Sequence, residues 1–120
     1  MPAVPAFMLK KLYLKGSLKN TEQGFQFQIR NTLAPGTITA VEPVVVDGVG
    51  HLLADTLLVA KETMLATDIN KERPVVFGIN AVVTMAVKGA QLAAGEHTVV
   101  IGVQTKEAGE LKWDVTDTVA

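Results

Sequence analysis

From Gly24 to Asn31 apolar and polar residues alternate without a break: Phe25, Phe27 and Ile29 against Gln26, Gln28 and Arg30. A period of two marks a strand with one face on a core and the other in water. Near the end of the chain the pattern returns twice. Val99, Ile101 and Val103 share one face of a run from Glu96 to Thr105, opposite Glu96, Thr98, Gly102 and Gln104. Leu111, Trp113 and Val115 share one face of the last run, opposite Glu110, Lys112, Asp114 and Thr116. Glu107-Ala108-Gly109 between them reads as a hairpin turn. Arg73 to Lys88 is strand-rich in two parts, Val75, Phe77 and Ile79 and then Val83, Met85 and Val87, broken at Asn80-Ala81.

The remaining elements follow from punctuation. Leu12-Tyr13-Leu14 and Leu18 suggest a strand before Gly24, with Asn20 to Gly24 as its turn. Thr37 to Val41 and Val44 to Val46 are separated by Pro43, which has no N–H to give a ladder, so this stretch sits near an edge or carries a bulge. Asp47-Gly48 is a tight-turn pair. Leu52 to Leu65 lacks a 3.6-residue repeat and reads as two short strands.

One phrase occurs twice. Leu33 to Val41 and Leu92 to Val100 share Leu, Ala, Gly, Thr and Val at five of nine offsets. Each copy is a turn followed by a β-branched run, so each launches a strand. The second copy leads into an unbroken run and predicts a central strand. About eight strands with turn signals at ~8–12-residue spacing predict an all-β fold, an antiparallel sandwich of immunoglobulin-like or jelly-roll-like type. No segment demands a helix. Residues 1–8 read as an irregular, proline-punctuated leader, with Met8 as an alternative start, and 9–120 as one sandwich domain.

Composition narrows the function more than it specifies it. The 120 residues include no cysteine, which excludes disulfides and thiolate metal sites and favours a reducing, cytoplasmic setting. Eleven basic residues stand against twelve acidic ones with no block of either sign, so neither nucleic acid nor an anionic membrane surface finds a basic patch. The longest apolar runs are far too short to span a bilayer. Apolar residues make up 48% of the chain and aromatics only 5%. In a domain of this size, such an excess has two equal readings: apolar surface covered by another subunit, or a Val/Ala-rich core with an ordinary share of exposed apolar atoms.

Candidate chemistry is sparse. Ser17 is the single serine and sits between Gly16 and Leu18 with no nucleophile elbow around it. His51 follows Gly50 with Asp47 and Asp55 near in sequence, a weak metal or acid–base set. His97 has the inward parity of Val99 and Ile101 but stands at the start of its strand, which predicts a rim histidine donating to a backbone carbonyl of the adjacent turn. Asp114 and Asp117 fall on opposite faces of the last strand, Trp113 reads as a core plug, and Tyr13 as an exposed aromatic. The glycines form no phosphate-cradling motif. No catalytic, cofactor-binding or metal-ligating residue is assigned.

The order Gly24-Phe25-x-Phe27-x-Ile29, then Val44-x-Val46-Asp47-Gly48, then Leu92-x-x-Gly95-x-His97-x-Val99 resembles the small β-sandwich subunits of the C-glycoside deglycosidase type. That resemblance implies a sandwich supporting a larger, metal-dependent partner that carries most of the chemistry. The combined expectation is a non-catalytic accessory or assembly domain, acting as a homo-oligomer or by supporting a larger enzyme subunit. The alternative is a small ligand-binding barrel or enzyme using His97 or His51 with a nearby carboxylate.

Overall fold

A computed structural model describes residues 4–120; the first three residues of the expected leader lie outside the described residues. Among the described residues there are eleven strands and four short helical turns. The strands are β1 (Lys19–Thr21), β2 (Gly24–Arg30), β3 (Gly36–Val41), β4 (Val45–Val46), β5 (Val49–Gly50), β6 (Thr56–Val59), β7 (Thr63–Leu65), β8 (Val75–Phe77), β9 (Val82–Lys88), β10 (Gly95–Thr105) and β11 (Gly109–Val119). A single α-helical turn, α1 (Ala6–Leu9), runs into a 3-10 turn at Lys10–Leu12. Two further 3-10 turns, Leu53–Asp55 and Ala66–Asp68, flank β6 and β7.

The strands pair antiparallel in two sheets, as the alternation predicts. One sheet runs β1-β2-β9-β6-β7. In the other, β10 pairs with β11 on one side, and on the other side with β3 and β4, which follow each other along its edge. Outside them lie β8, on β3, and β5, on β4. Pro43 explains the split between β3 and β4. Pairing continues to Glu42, whose N–H donates to the Gly102 carbonyl at 2.9 Å, and resumes at Val45. The uninterrupted β10 is the strand that reaches all three neighbours. Both copies of the repeated phrase place their glycine at the first strand residue, Gly36 in β3 and Gly95 in β10, and these strands are neighbours.

The inner faces follow the parity of the sequence. Phe25, Phe27 and Ile29 from β2, Val83, Met85 and Val87 from β9, and Val99, Ile101 and Val103 from β10 form the core, with Trp113 also buried. Close-packed apolar burial of this kind is the main favourable term in folding. Gly24 is required where β2 meets β9: φ is +155° and a Cβ there would lie 2.0 Å from the Val87 carbonyl oxygen.

Four expectations change. The strand through Leu12–Leu14 and Leu18 is instead a 3-10 turn, one bridge from Tyr13 to Ile29, and then β1. Gly16, at φ +85°, turns the chain between them. Tyr13 is buried, not exposed, at 7% accessibility. Ile79 does not extend the face of Val75 and Phe77, because Asn80 takes φ +64° and turns the chain, leaving Ile79 47% exposed. The strand number also rises from about eight to eleven, since two- and three-residue ladders such as β4, β5 and β8 are too short to show a period.

Candidate functional site

Asp47 and Gly48 both take positive φ, 51° and 83°, the two-residue hairpin turn that an Asp-Gly pair favours. That turn joins β4 to β5 and lies against the start of β10. The Asp47 N–H donates to the Thr98 carbonyl and the Thr98 N–H donates back to Asp47 Oδ1, each at 2.9 Å. The second oxygen, Oδ2, lies 2.5 Å from His97 Nδ1, and His97 Nε2 lies 2.7 Å from the Ala93 carbonyl.

Both partners of the imidazole are pure acceptors, so both ring nitrogens must carry a proton for both bonds to form. The two contacts together call for the imidazolium form of His97. The Ala93 carbonyl, and after it the Asp47 carboxylate, raise its pKa above the ordinary 6.5. The Thr98 amide, and then the His97 ring, hold the Asp47 carboxyl below its ordinary value. An imidazole with both nitrogens donating has no lone pair to bind a metal or take a proton.

A second polar centre faces the same interior. Asp117 is 3% exposed, and in the β10–β11 register it stands directly opposite His97. Its Oδ2 accepts from the Tyr13 hydroxyl at 2.7 Å, the Gly16 N–H at 2.9 Å and the Leu18 N–H at 3.3 Å; Oδ1 accepts from the Thr118 N–H at 2.9 Å. Burial alone would raise this carboxyl, but the Tyr13 hydroxyl and the three amides outweigh it and keep the pKa low. Burial, reinforced by the same carboxylate, pushes the Tyr13 phenol well above its ordinary value. Asp117 thus fastens the segment Tyr13–Leu18 to the last strand. Its parity with Leu111, Trp113 and Val115 was the available signal: an acid facing a core needs donors waiting for it.

The other candidates scatter. The ring of His51 packs edge-on to Phe25, with centroids 5.1 Å apart, and Asp47 has turned to His97 instead. Ser17 Oγ accepts the Gln28 N–H at 2.9 Å and so stands in for a strand partner. Asn31 donates to the Ala34 and Phe77 carbonyls and accepts from the Leu33 N–H, closing its loop. On the outer face of β10 and β11, Glu42 lies over Gly102, where a Cβ would come 2.9 Å from its carboxyl carbon. Lys112 Nζ is 3.4 Å from Glu42 Oε1, and the nearby Glu42 side chain raises the Glu110 carboxyl above its ordinary value. Among the described residues no group of three or more His, Cys, Asp or Glu side chains is placed to hold a metal ion. No helix among them is long and apolar enough to cross a membrane.

Residues 8–120 match the family model described as hydroxymethylglutaryl-CoA reductase, N-terminal domain. No curated protein matches the chain. The family match overturns the resemblance to C-glycoside deglycosidase subunits. The motifs behind that resemblance sit in β2, in the β4–β5 hairpin and at the start of β10, where apolar alternation and Asp-Gly turns arise in β-sandwiches whatever their function.

Proposed function

The chain belongs to the hydroxymethylglutaryl-CoA reductase N-terminal domain family, and from that premise we propose that it is a non-catalytic assembly domain supporting the catalytic part of such a reductase. The observation that carries the reading is the apolar groove on one open side of the sandwich. It has a volume of about 750 Å³ and lies between the β6–β7 turn and β8, with Ala60, Met64, Val75, Val76, Ala81 and Val82 in its lining. Val76 is 74% exposed, and Val59, Leu65, Ile79 and Val82 add exposed apolar surface. Clustered apolar surface of this kind marks a place where another protein sits. His97 and Asp117 support the same reading, because their hydrogen-bonding capacity is taken up by backbone and by Asp47 and Tyr13. The cysteine-free sequence favours a cytoplasmic setting for this role.

The test is co-expression with the hydroxymethylglutaryl-CoA reductase polypeptide of the same host, with affinity read by calorimetry. Binding is expected, and Val76→Asp should weaken it by about tenfold or more, the scale of burying an unpaired charge. Absence of binding, or binding indifferent to both Val76→Asp and Val82→Asp, would overturn the proposal.

A further inference from the structure

The backbone of β11 is paired along only one side. Alternate residues of an antiparallel strand direct their N–H and C=O to opposite neighbours. The Thr98 and Gly102 carbonyls accept from Asp47 and Glu42, so the even-numbered residues of β10 face β3 and β4. Val99, Ile101 and Val103 therefore face β11, where their register partners are Val115, Trp113 and Leu111. It follows that Glu110, Lys112, Asp114 and Thr116 turn their backbone groups away from the sheet. The Thr116 carbonyl confirms this direction, since it accepts from Lys15 Nζ at 2.7 Å. Among the described residues no backbone group reaches Glu110, Lys112 or Asp114 from that side.

The remaining edges are short or blocked. Strand β1 has three residues, and its Asn20 side chain exchanges two bonds of 2.8 Å with the backbone of Leu92. Strands β7 and β8 have three residues each, β8 directly after Pro74, and β5 has two. At eleven residues, β11 is the long edge. A long edge with free N–H and C=O groups is a template for another strand.

We propose that this edge joins two copies of the chain, β11 to β11, antiparallel about a two-fold axis at Trp113. The charge order chooses both the partner and the register. With Trp113 opposite itself, Lys112 meets Asp114 of the partner subunit and Asp114 meets the partner's Lys112. Glu110 meets the partner's Thr116, and Leu111 meets the partner's Val115. Centring on Lys112 instead sets lysine against lysine and Glu110 against Asp114; centring on Asp114 sets Asp against Asp. A register that sets opposite charges together twice by symmetry is what an isologous interface requires. Helical turn α1 contacts β11, and its Phe7 is 66% exposed. This edge is separate from the apolar groove, so the inference stands without the reductase reading.

Sedimentation velocity over a range of concentrations tests it on the isolated chain. The wild type is expected to dimerise. Lys112→Asp, which sets Asp against Asp twice, should weaken the dimer about tenfold, and Lys112→Asp with Asp114→Lys should restore it. Lys112→Pro removes an N–H that faces solvent in the monomer, so it should abolish the dimer while circular dichroism still reports the β fold. A wild-type chain that stays monomeric to its solubility limit would overturn the proposal. So would a dimer that ignores both the charge changes and the proline.

Discussion

His97 and Asp117 face each other across adjacent strands and point into the same interior, yet the fold uses them in opposite ways. The histidine donates two hydrogen bonds, one to a carbonyl in the turn before its strand and one to a carboxylate in a hairpin fifty residues earlier. The aspartate accepts four hydrogen bonds, from a phenol and three amides. Asp47, the partner of His97, is half in water, with a side chain 49% exposed. Asp117 itself is 3% exposed, and of its four partners Tyr13 and Leu18 are buried while Gly16 and Thr118 are exposed. The contrast shows how a sandwich rim tolerates charge. One centre keeps its carboxylate half in water, and the other keeps it in the core.

The largest effect should therefore come from Asp117. Asp117→Ala leaves the Tyr13 hydroxyl and the amides of Gly16 and Leu18 without an acceptor, and about 3 kcal/mol of stability should go. Urea denaturation measures it; a loss below about 1 kcal/mol would mean that water reaches the site and the contrast is false. Tyr13→Phe removes one donor to the same carboxylate and should cost about 1.5 kcal/mol. In the Asp117→Ala background it should cost much less, since the two changes remove one network.

Acidity separates the two centres next. The raised His97 pKa means that its contribution is fully present below the ordinary 6.5 and is lost as pH rises through the folded value. The lowered Asp117 and Asp47 pKa values work the other way, present above the ordinary 3.8 and lost as pH falls through the folded values. Stability should be greatest between those limits. His97→Ala should flatten the alkaline fall and leave most of the acid fall in place, as thermal melts across pH would read. An unchanged alkaline limb would remove His97 from the account. The smallest effect belongs to Asp47→Ala, a fall in Tm of about 2 °C, because water can take over at this half-exposed turn. A fall as large as that of Asp117→Ala would erase the distinction between the two centres.

Much of this architecture was legible in the sequence because strands that pack on one face write a period of two. Phe25, Phe27 and Ile29 and the inward run from Val99 to Val103 needed nothing more, and Pro43 announced the break between β3 and β4. The segment Tyr13–Leu18 was not legible, since one bridge, a glycine turn and a serine hydroxyl replace a ladder there and leave no repeat. The pairing of His97 with Asp47 follows from β4 lying beside β10, a neighbourhood that no local pattern records. For the same reason His51, adjacent in sequence to that turn, was an equal candidate and proves to pack on Phe25. Asp117 could have been singled out from its parity alone.

On this reading His97, Asp47 and Asp117 are engaged in holding the fold. Nitrogen-15 NMR of the His97 ring across pH tests this most directly. Both ring nitrogens should be protonated at pH 6.5, each with the shift of a hydrogen-bonded N–H, and the titration should be displaced to the alkaline side. A neutral ring at that pH, with an unprotonated Nε2 free to act as base or ligand, would contradict it.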